Sequence, residues 1–221
     1  MKFAEIREQV FKTTNDLCAS NLIRLSAGNV SLRDAEGHVA ITPSGVKYDV
    51  MRPDDIVVID YDGNIIAGNE GLKPSSEFRL HTGIMRQVPG VNAVIHTHSI
   101  YGITFATLGM DIPPVCIELM IAGAPIPVVP FTTPGTDEVG DEAARVFLER
   151  PELNGLLMKH HGMAAIGATL DEAYSHAMDI ETGAQVYYQA LQLGKPDTIP
   201  AEQIELIRKK YNLVAADRIL A

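Results

Sequence analysis

Fold and chemistry meet in one short stretch of this chain, Ala93-Val94-Ile95-His96-Thr97-His98-Ser99. Its apolar first half follows the turn signal Pro89-Gly90 and predicts a buried β-strand. Because side chains alternate along a strand, His96 and His98 are expected to project from the same face. Two imidazoles at a strand end supply half of a zinc site, since zinc takes about four N, O or S ligands. Hydrogen-bonded or surface histidines would give the same pattern, so the pair alone leaves the metal role open.

Short strands and amphipathic helices are predicted on both sides of this stretch. Strand-like runs occur at 29–32, 38–41, 55–59, 155–158 and 164–166. Helical patterns occur at 4–21, 75–87, 100–108, 137–148 and 171–193, with Ser75 or Ser76 as the N-cap of the second. Turns rather than helices connect the early strands. This favours an α/β fold with a mixed, largely antiparallel sheet over a doubly wound parallel sheet.

The length of 221 residues suits one domain over residues 1–221. Residues 200–221 are interpreted as a C-terminal tail, either mobile or forming one more helix that carries Tyr211. No apolar run approaches the roughly 20 residues that span a bilayer, and acidic residues occur early, so we expect neither a membrane segment nor a signal peptide. Cys18 and Cys116 form no CxxC pair, which excludes a Cys-type zinc finger. These features favour a cytoplasmic enzyme.

The net charge of −10 restricts the partners of the chain. Nucleic acid is not expected, because its binding needs basic patches. The overall acidic field would also oppose a phosphorylated ligand. Such a ligand would therefore need local backbone N–H groups, hydroxyls and a bound cation.

Three polar segments are candidate anion-binding turns. They are Ser26-Ala27-Gly28-Asn29-Val30-Ser31, Thr42-Pro43-Ser44-Gly45 and Pro74-Ser75-Ser76-Glu77. The third lies at a predicted helix start, where free N–H groups and the helix dipole favour an anion. Taken singly, each segment is more commonly an ordinary turn or cap. None is a Walker loop or a GxGxxG, so a nucleotide cofactor is not expected.

Glu77 and a third histidine would complete the candidate chemistry. The helix dipole alone favours an acidic residue in a first turn, but a Glu77 that faces the histidines would be a candidate general base beside a metal. His160-His161-Gly162 follows an apolar strand, so one of its histidines should point inward, and spacing does not choose between them. The remaining histidines are interpreted as structural or supporting residues: His38, His81 and His176.

Taken in order, the motifs SAGNVS, TPSG, KPSSE, HTHS and HHG resemble those of the class II aldolase/adducin family. The resemblance runs from about residue 4 to residue 193 and is more specific for the family than for a substrate. It implies a three-layer α/β/α sandwich on a mixed sheet. It also implies a homotetramer with active sites at subunit boundaries.

The resemblance further implies roles for individual residues. His96, His98 and His161 would bind zinc or another divalent first-row metal, with His161 preferred because the family's ligand directly precedes a glycine. Glu77 would be the catalytic acid/base. Neutral donors would hold the substrate phosphate: Ser26, Asn29, Ser44, Gly45, Ser75 and Ser76.

The implied reaction is the reversible cleavage of a ketose 1-phosphate to dihydroxyacetone phosphate and a small aldehyde, through a zinc-stabilised enediolate. Zinc would polarise the carbonyl group, and Glu77 would remove a proton from the adjacent carbon. No Schiff-base lysine is needed for this chemistry.

One segment departs from the family pattern. Where the fuculose-type aldolases of the family are expected to carry His-Tyr-Met-Ile-Ala, this chain has Glu118-Leu119-Met120-Ile121-Ala122. Leu119 cannot replace a tyrosine that protonates or orients the aldehyde. Glu118 is either a replacement acid/base or a surface charge, and Tyr211 could stand in for a second family tyrosine. The departure puts fuculose specificity in doubt.

Other reactions of the family stay open at this point. Pentulose-phosphate 4-epimerases share the fold and the zinc but typically carry aspartate at the position of Glu77. Sugar-phosphate dehydratases and sugar-acid phosphate decarboxylases fit the same motifs. A non-catalytic adducin-like interaction module would be expected to lack the metal ligands, whereas here the three histidines and the glutamate are present.

Overall fold

An eight-stranded open sheet forms the centre of the molecule in this computed structural model, which describes residues 3–211. In chain order its strands are β1 (Asn29–Arg33), β2 (Val39–Ile41), β3 (Val57–Ile59), β4 (Ile65–Ala67), β5 (Ala93–Thr97), β6 (Val128–Val129), β7 (Gly155–Met158) and β8 (Gly162–Gly167). Their order across the sheet is β4-β3-β2-β1-β5-β8-β7-β6. All neighbouring pairs are antiparallel except β6 and β7, which are parallel. The predicted mixed, largely antiparallel sheet is confirmed.

Helices cover both faces of this sheet. The described residues form α1 (Ala4–Ala19), α2 (Phe78–Gln87), α3 (Ile100–Leu108), α4 (Ile117–Ile121), α5 (Asp137–Glu149), α6 (Leu170–Leu193) and α7 (Ala201–Tyr211), with a short 3-10 helix at Pro53–Asp55. The side chains of α2 and α5 share one apolar core with the sheet, and those of α1, α3 and α6 share the other. The predicted three-layer α/β/α arrangement is therefore present.

The central strand β5 is buried on both faces, which explains its apolar run. Val94 packs in the core under α2 and α5, whereas Ala93 and Ile95 pack in the opposite core. Burial of a side chain of the size of Val94 or Ile95 stabilises the fold by about 2 kcal/mol. His96 shares the face of Val94, because alternate residues of a strand point the same way. It lies opposite Asn29 of β1 in the sheet register.

Besides the short 3-10 helix, three elements were not predicted, and one helix began later than expected. β4, β6 and α4 are three, two and five residues long, too short to show a hydrophobic period. Ser75 and Ser76 precede α2 rather than cap it, and Glu77 occupies the N-cap position itself. This shift of one or two residues places the Glu77 carboxylate at the start of the helix, beside the end of β5.

The C-terminal helix α7 confirms that part of the predicted tail is helical, and its last residue is the exposed Tyr211. Residues 212–221 of that tail lie outside the described residues. A single domain over 1–221 therefore stays a prediction. Within residues 3–211, no helix combines the length and apolarity needed to cross a membrane.

Candidate active site

Four side chains from distant parts of the sequence meet at one end of the central strands. Glu77 lies at the start of α2, His96 near the end of β5, His98 just after it, and His161 in the turn between β7 and β8. One ligand atom from each of the four lies within 4.8 Å of the others. We call these four residues the His/Glu cluster. The chain thus brings together the four residues that the sequence marked for metal and acid/base chemistry.

The backbone fixes the tautomer of His96. Its Nδ1 lies 2.9 Å from the carbonyl oxygen of Met163 in the neighbouring strand β8, so Nδ1 carries the proton and donates it. The Nε2 lone pair is therefore directed into the cluster. A histidine that donates its other N–H to a backbone carbonyl is the usual arrangement for a metal ligand.

Gly162 explains why a glycine follows His161. A Cβ atom at this position would lie 2.3 Å from the carbonyl oxygen of Thr97 and 2.9 Å from Cε1 of His96. The absence of a side chain thus lets β8 start directly against the histidine pair. The preceding residue, His160, is exposed, whereas Nε2 of His161 lies 2.9 Å from Oε1 of Glu77. The structure therefore brings His161, and not His160, into the cluster.

The electrostatics of the cluster keep Glu77 and His98 in the forms that a metal needs. Partial burial, together with the neighbouring His96 and His161, lowers the pKa of His98 to about 4. Burial opposes ionisation of Glu77, but its contacts with His161 and His96 outweigh that effect and hold its pKa well below the usual range. At neutral pH the cluster therefore offers a carboxylate beside a neutral His98 imidazole. Neutral imidazole is the form that binds metal.

The distances and the hydrogen bonding of the cluster fit a divalent metal. Nε2 of His98 and Nε2 of His96 lie 2.9 Å apart, and Nε2 of His96 lies 3.2 Å from Oε2 of Glu77. Tetrahedral ligands around zinc are about 3.3 Å apart, so a shift of a few tenths of an ångström would accommodate the ion. Oε1 of Glu77 is buried and faces Nε2 of His161 at 2.9 Å. Three imidazoles and a carboxylate are a donor set for zinc and other first-row metals.

Two of the predicted anion-binding turns lie side by side next to Glu77. The backbone N–H of Ser44 donates to the carbonyl of Lys73 at 2.9 Å, and that of Ser75 donates to the carbonyl of Thr42 at 3.0 Å. Ser75 is buried, and its hydroxyl accepts from the backbone N–H of Glu77 at 3.3 Å. The other predicted phosphate-binding residues in these two turns are exposed: Ser44, Gly45 and Ser76.

The two residues predicted from the first turn differ in their surroundings. Asn29 is 4% exposed, and its Nδ2 donates to Oε2 of Glu77 at 3.0 Å. Its amide is thus already bonded to the carboxylate rather than directed at solvent. Ser26 is exposed in the loop before β1. Any role of these residues in phosphate binding stays a prediction.

The candidates near α4 are not members of the His/Glu cluster. Glu118 is half-buried beside Asp179 and Cys116, and Tyr211 is exposed at the end of α7. Leu119 is fully buried, and a Cβ placed on Gly183 of α6 would lie 2.2 Å from Leu119 Cγ. Leu119 is therefore a core residue.

Sequence reasoning missed a buried tyrosine, Tyr48, which holds the loop before β1 against strand β5 next to the cluster. Tyr48 donates its hydroxyl to the carbonyl of Gly28 at 2.5 Å, and burial raises its pKa to about 12. A Cβ on Gly28 would lie 2.7 Å from the carbonyl oxygen of His96, so the loop packs directly on β5. Nothing in the sequence around Tyr48 indicated this contact, because it lies in a loop without a periodic pattern.

Comparison with known proteins agrees with this fold and shows its family. The family described as "Class II Aldolase and Adducin N-terminal domain" matches residues 8–188. The 5-deoxy-D-ribulose 1-phosphate aldolase of Bacillus thuringiensis serovar kurstaki is 34% identical over 206 residues, covering 93% of this chain and 94% of the relative. The L-fuculose phosphate aldolase of Escherichia coli K12 is 32% identical over 215 residues, covering 96% of each chain.

A solved structure also matches the fold of this chain. An L-fuculose 1-phosphate aldolase superposes with a TM-score of 0.87 at 30% identity, covering 94% of this chain and 96% of the other. The sheet and the helices on both its faces match the fold of this class II aldolase structure. The chain belongs to the class II aldolase/adducin family. Within that family it is an enzyme, a class II aldehyde lyase of the metal-dependent kind.

Proposed function

We propose that this chain catalyses the reversible cleavage of a ketose 1-phosphate to dihydroxyacetone phosphate and a small aldehyde, through an enediolate. The observation that carries the proposal is the convergence of one carboxylate and three imidazoles within 4.8 Å, next to two serine-bearing turns. The names of its relatives add support, since they refer to 5-deoxy-D-ribulose 1-phosphate and L-fuculose phosphate.

His96, His98 and His161 would hold the metal, and zinc suits this set of ligands. A zinc ion bound there supplies a Lewis acid that polarises the carbonyl group of the donor sugar phosphate. The chain contributes the orientation of that site. The Met163 carbonyl keeps His96 in the required tautomer, and Gly162 leaves room for the imidazole rings.

Glu77 takes the proton from the carbon next to the donor carbonyl group. Its Oε2 accepts from the amide of Asn29 at 3.0 Å, and its Oε1 lies 2.9 Å from Nε2 of His161, so the carboxylate is held inside the cluster. Removal of the proton leaves a carbanion equivalent, which adds to the aldehyde in the synthetic direction. A general base placed in this way contributes about 10²–10⁴-fold to a rate.

Neutral hydrogen-bond donors are proposed to bind the phosphate group. They are the six residues Ser26, Asn29, Ser44, Gly45, Ser75 and Ser76. Backbone N–H groups and hydroxyls bind phosphate without a formal positive charge, which suits a chain of net charge −10. In the free protein the amide of Asn29 already serves Glu77, so its phosphate contact would come through the remaining capacity of that amide.

We also propose that the functional protein is a cytoplasmic homotetramer of single-domain chains with active sites at subunit boundaries. Several large apolar side chains support an association, because they are exposed on the single chain, among them Leu25 at 73%, Val50 at 67% and Leu193 at 91%. Light scattering should give a mass about four times that of the 24.0 kDa chain. A mass equal to one chain at micromolar concentration would contradict the tetramer.

The test is release of dihydroxyacetone phosphate from a panel of ketose 1-phosphates with and without a chelator. The panel contains the 1-phosphates of fuculose, rhamnulose, 5-deoxyribulose, ribulose and xylulose. We expect release from at least one member, its loss with the chelator, and its return on adding zinc. Glu77→Gln is the matched control, which should bind metal without releasing product.

Protein shown to contain metal that releases no product from any member of the panel would overturn the aldolase proposal. Conversion of a pentulose phosphate to its 4-epimer without cleavage would indicate the epimerase reaction. Loss of water or carbon dioxide from a sugar phosphate would indicate a dehydratase or a decarboxylase.

A further inference from the structure

Three buried polar side chains lie behind Glu77 and contact one another in series. Asn29 contacts Glu77, His81 contacts Asn29, and Ser31 contacts His81. Asn29 is 4% exposed, and His81 and Ser31 are fully buried. His81 is not a member of the His/Glu cluster. A run of fully buried polar groups is costly unless every member is bonded, so its retention needs a reason.

The carboxylate sets the direction of every hydrogen bond in this series. Ionised Glu77 can only accept, so the atom of Asn29 that lies 3.0 Å from Oε2 is the donating Nδ2. Oδ1 of the same amide then faces His81 and can only accept, so Nε2 of His81 carries the proton. Each bond thereby determines the next one.

Ser31 completes the series at its far end. Nδ1 of neutral His81 is an acceptor and lies 2.6 Å from Oγ of Ser31, which donates to it. The alternative acceptor for that hydroxyl, the carbonyl oxygen of Val94, lies at 3.5 Å. The shorter distance favours the imidazole. The hydrogen bonds therefore run from Ser31 through His81 and Asn29 to Glu77.

The environment of His81 keeps this direction fixed. Burial, with a smaller contribution from the nearby His96, lowers the pKa of His81 to about 3. His81 therefore stays neutral at physiological pH and has one donor and one acceptor nitrogen. A rotation of the Asn29 amide by 180° would place Oδ1 against the carboxylate and Nδ2 against the N–H of His81. Both contacts would then be repulsive.

We infer that His81 is a positioning residue, which fixes the Asn29 amide so that its N–H anchors Oε2 of Glu77 and holds the carboxylate in the orientation that takes the proton. The inference rests on the proposed function, because it deepens the role of Glu77 as the base. His81 itself touches neither substrate nor metal in this arrangement. Its effect reaches the reaction only through the orientation of one carboxylate.

Two amide substitutions at position 81 separate the two nitrogens of the imidazole. Glutamine places its amide nitrogen near the former Nε2, so His81→Gln keeps a donor for Asn29. Asparagine reaches only the former Nδ1, so His81→Asn keeps a contact for Ser31 and loses the donor. Both remove the ring, which makes them matched controls for packing.

The variants are compared with the wild type by kcat, KM, metal content, melting temperature and proton exchange at the donor carbon of dihydroxyacetone phosphate. We expect His81→Asn to lower kcat and exchange by about 10–100-fold, the effect of losing a hydrogen bond to a charged group. Its KM and metal content should stay unchanged. His81→Gln should recover most of the lost rate at a similar melting temperature.

A second measurement does not depend on the folding of any variant. Nitrogen-15 NMR of histidine-labelled, metal-free wild type should show His81 protonated at Nε2 and not at Nδ1. A signal for the opposite tautomer would overturn the inference. So would equal rate losses in the two variants, or an unchanged rate in His81→Asn.

Failure of the proposed function would look different. Wild-type protein loaded with metal would then show no proton exchange and no product release, whichever residue occupies position 81. A wild type that exchanges protons, combined with variants that do not differ, would reject the positioning role alone.

Discussion

The His/Glu cluster and the segment around α4 lie in the same chain but are built in opposite ways. The cluster consists of polar side chains whose positions are fixed by the backbone, through the Met163 carbonyl and the Gly162 contact. In α4 the residue at the position of an expected family tyrosine, Leu119, is wholly buried on Gly183. The difference teaches that the chain keeps polar side chains where the proposed metal and proton chemistry needs them, while Leu119 of α4 packs in the core.

The largest effect is expected from breaking the cluster at its most buried ligand. His96→Ala removes an imidazole that is 0% exposed and should abolish metal binding and activity together. Metal content by elemental analysis and product release are the measurements. His160→Asn is the control, because His160 is exposed with φ 57° and asparagine tolerates that conformation. Full metal stoichiometry in His96→Ala would remove His96 from the set of ligands.

The next effect should separate proton transfer from metal binding within the cluster. Glu77→Gln keeps the shape of the side chain but removes the base, so proton exchange at the donor carbon should fall by about 10²–10⁴-fold. Metal content should persist, because three histidines remain. Isotope exchange followed by NMR is the measurement, and exchange at the wild-type rate would reject the role of Glu77.

The third prediction concerns α4, where a tyrosine should damage the fold rather than add activity. Leu119→Tyr forces a larger, polar side chain against Gly183 and should destabilise the protein by about 1–3 kcal/mol. For a chain of this size the melting temperature should fall by roughly 5 °C. The exposed neighbour Ile117, changed to tyrosine, is the control. Higher activity in Leu119→Tyr at an unchanged melting temperature would show that the position faces the substrate.

The smallest effect is a pH dependence close to α4. Burial and the nearby Glu118 raise the pKa of Asp179 to about 6 from its ordinary 3.8. Between these values the folded state holds a proton that the unfolded state has lost, so stability falls as the pH rises through this window.

The matching variant for that pH dependence is Asp179→Asn. It should be more stable than the wild type at pH 7.5 by at most about 1 kcal/mol, since solvent screens a half-buried group. At pH 3.5 the two proteins should melt alike. Thermal unfolding at the two pH values measures this, with the exposed Asp171→Asn as control. A difference that does not change with pH would contradict the raised pKa.

Much of the fold and of the cluster could be predicted from sequence, because their determinants are local. The apolar run before His96 gave β5, and alternation placed His96 and His98 on one face. Adjacent His160 and His161 were different: only the family resemblance preferred His161, and the structure shows that His160 is exposed whereas His161 contacts Glu77. Spacing along a sequence carries no information about such a long-range contact.

The remaining gaps have similar physical causes. β6 pairs in parallel with β7 through only two residues, and α4 is a single short helix, so neither has a period to detect. The series from Ser31 to Glu77 joins residues that are 46 positions apart in the chain numbering and depends on a tautomer. Composition could not reveal that His81 is neutral, since this follows from its complete burial.

The pair of backbone hydrogen bonds between the Ser44 turn and the segment before α2 has a mechanical consequence. The N–H of Ser44 and the N–H of Ser75 tie the two segments together two residues before Glu77. A ligand that displaces either turn therefore also displaces the start of α2 and the Glu77 carboxylate. We expect a sugar without its phosphate group to lose turnover as well as affinity, because phosphate binding at these turns also positions Glu77 at the reacting end of the substrate.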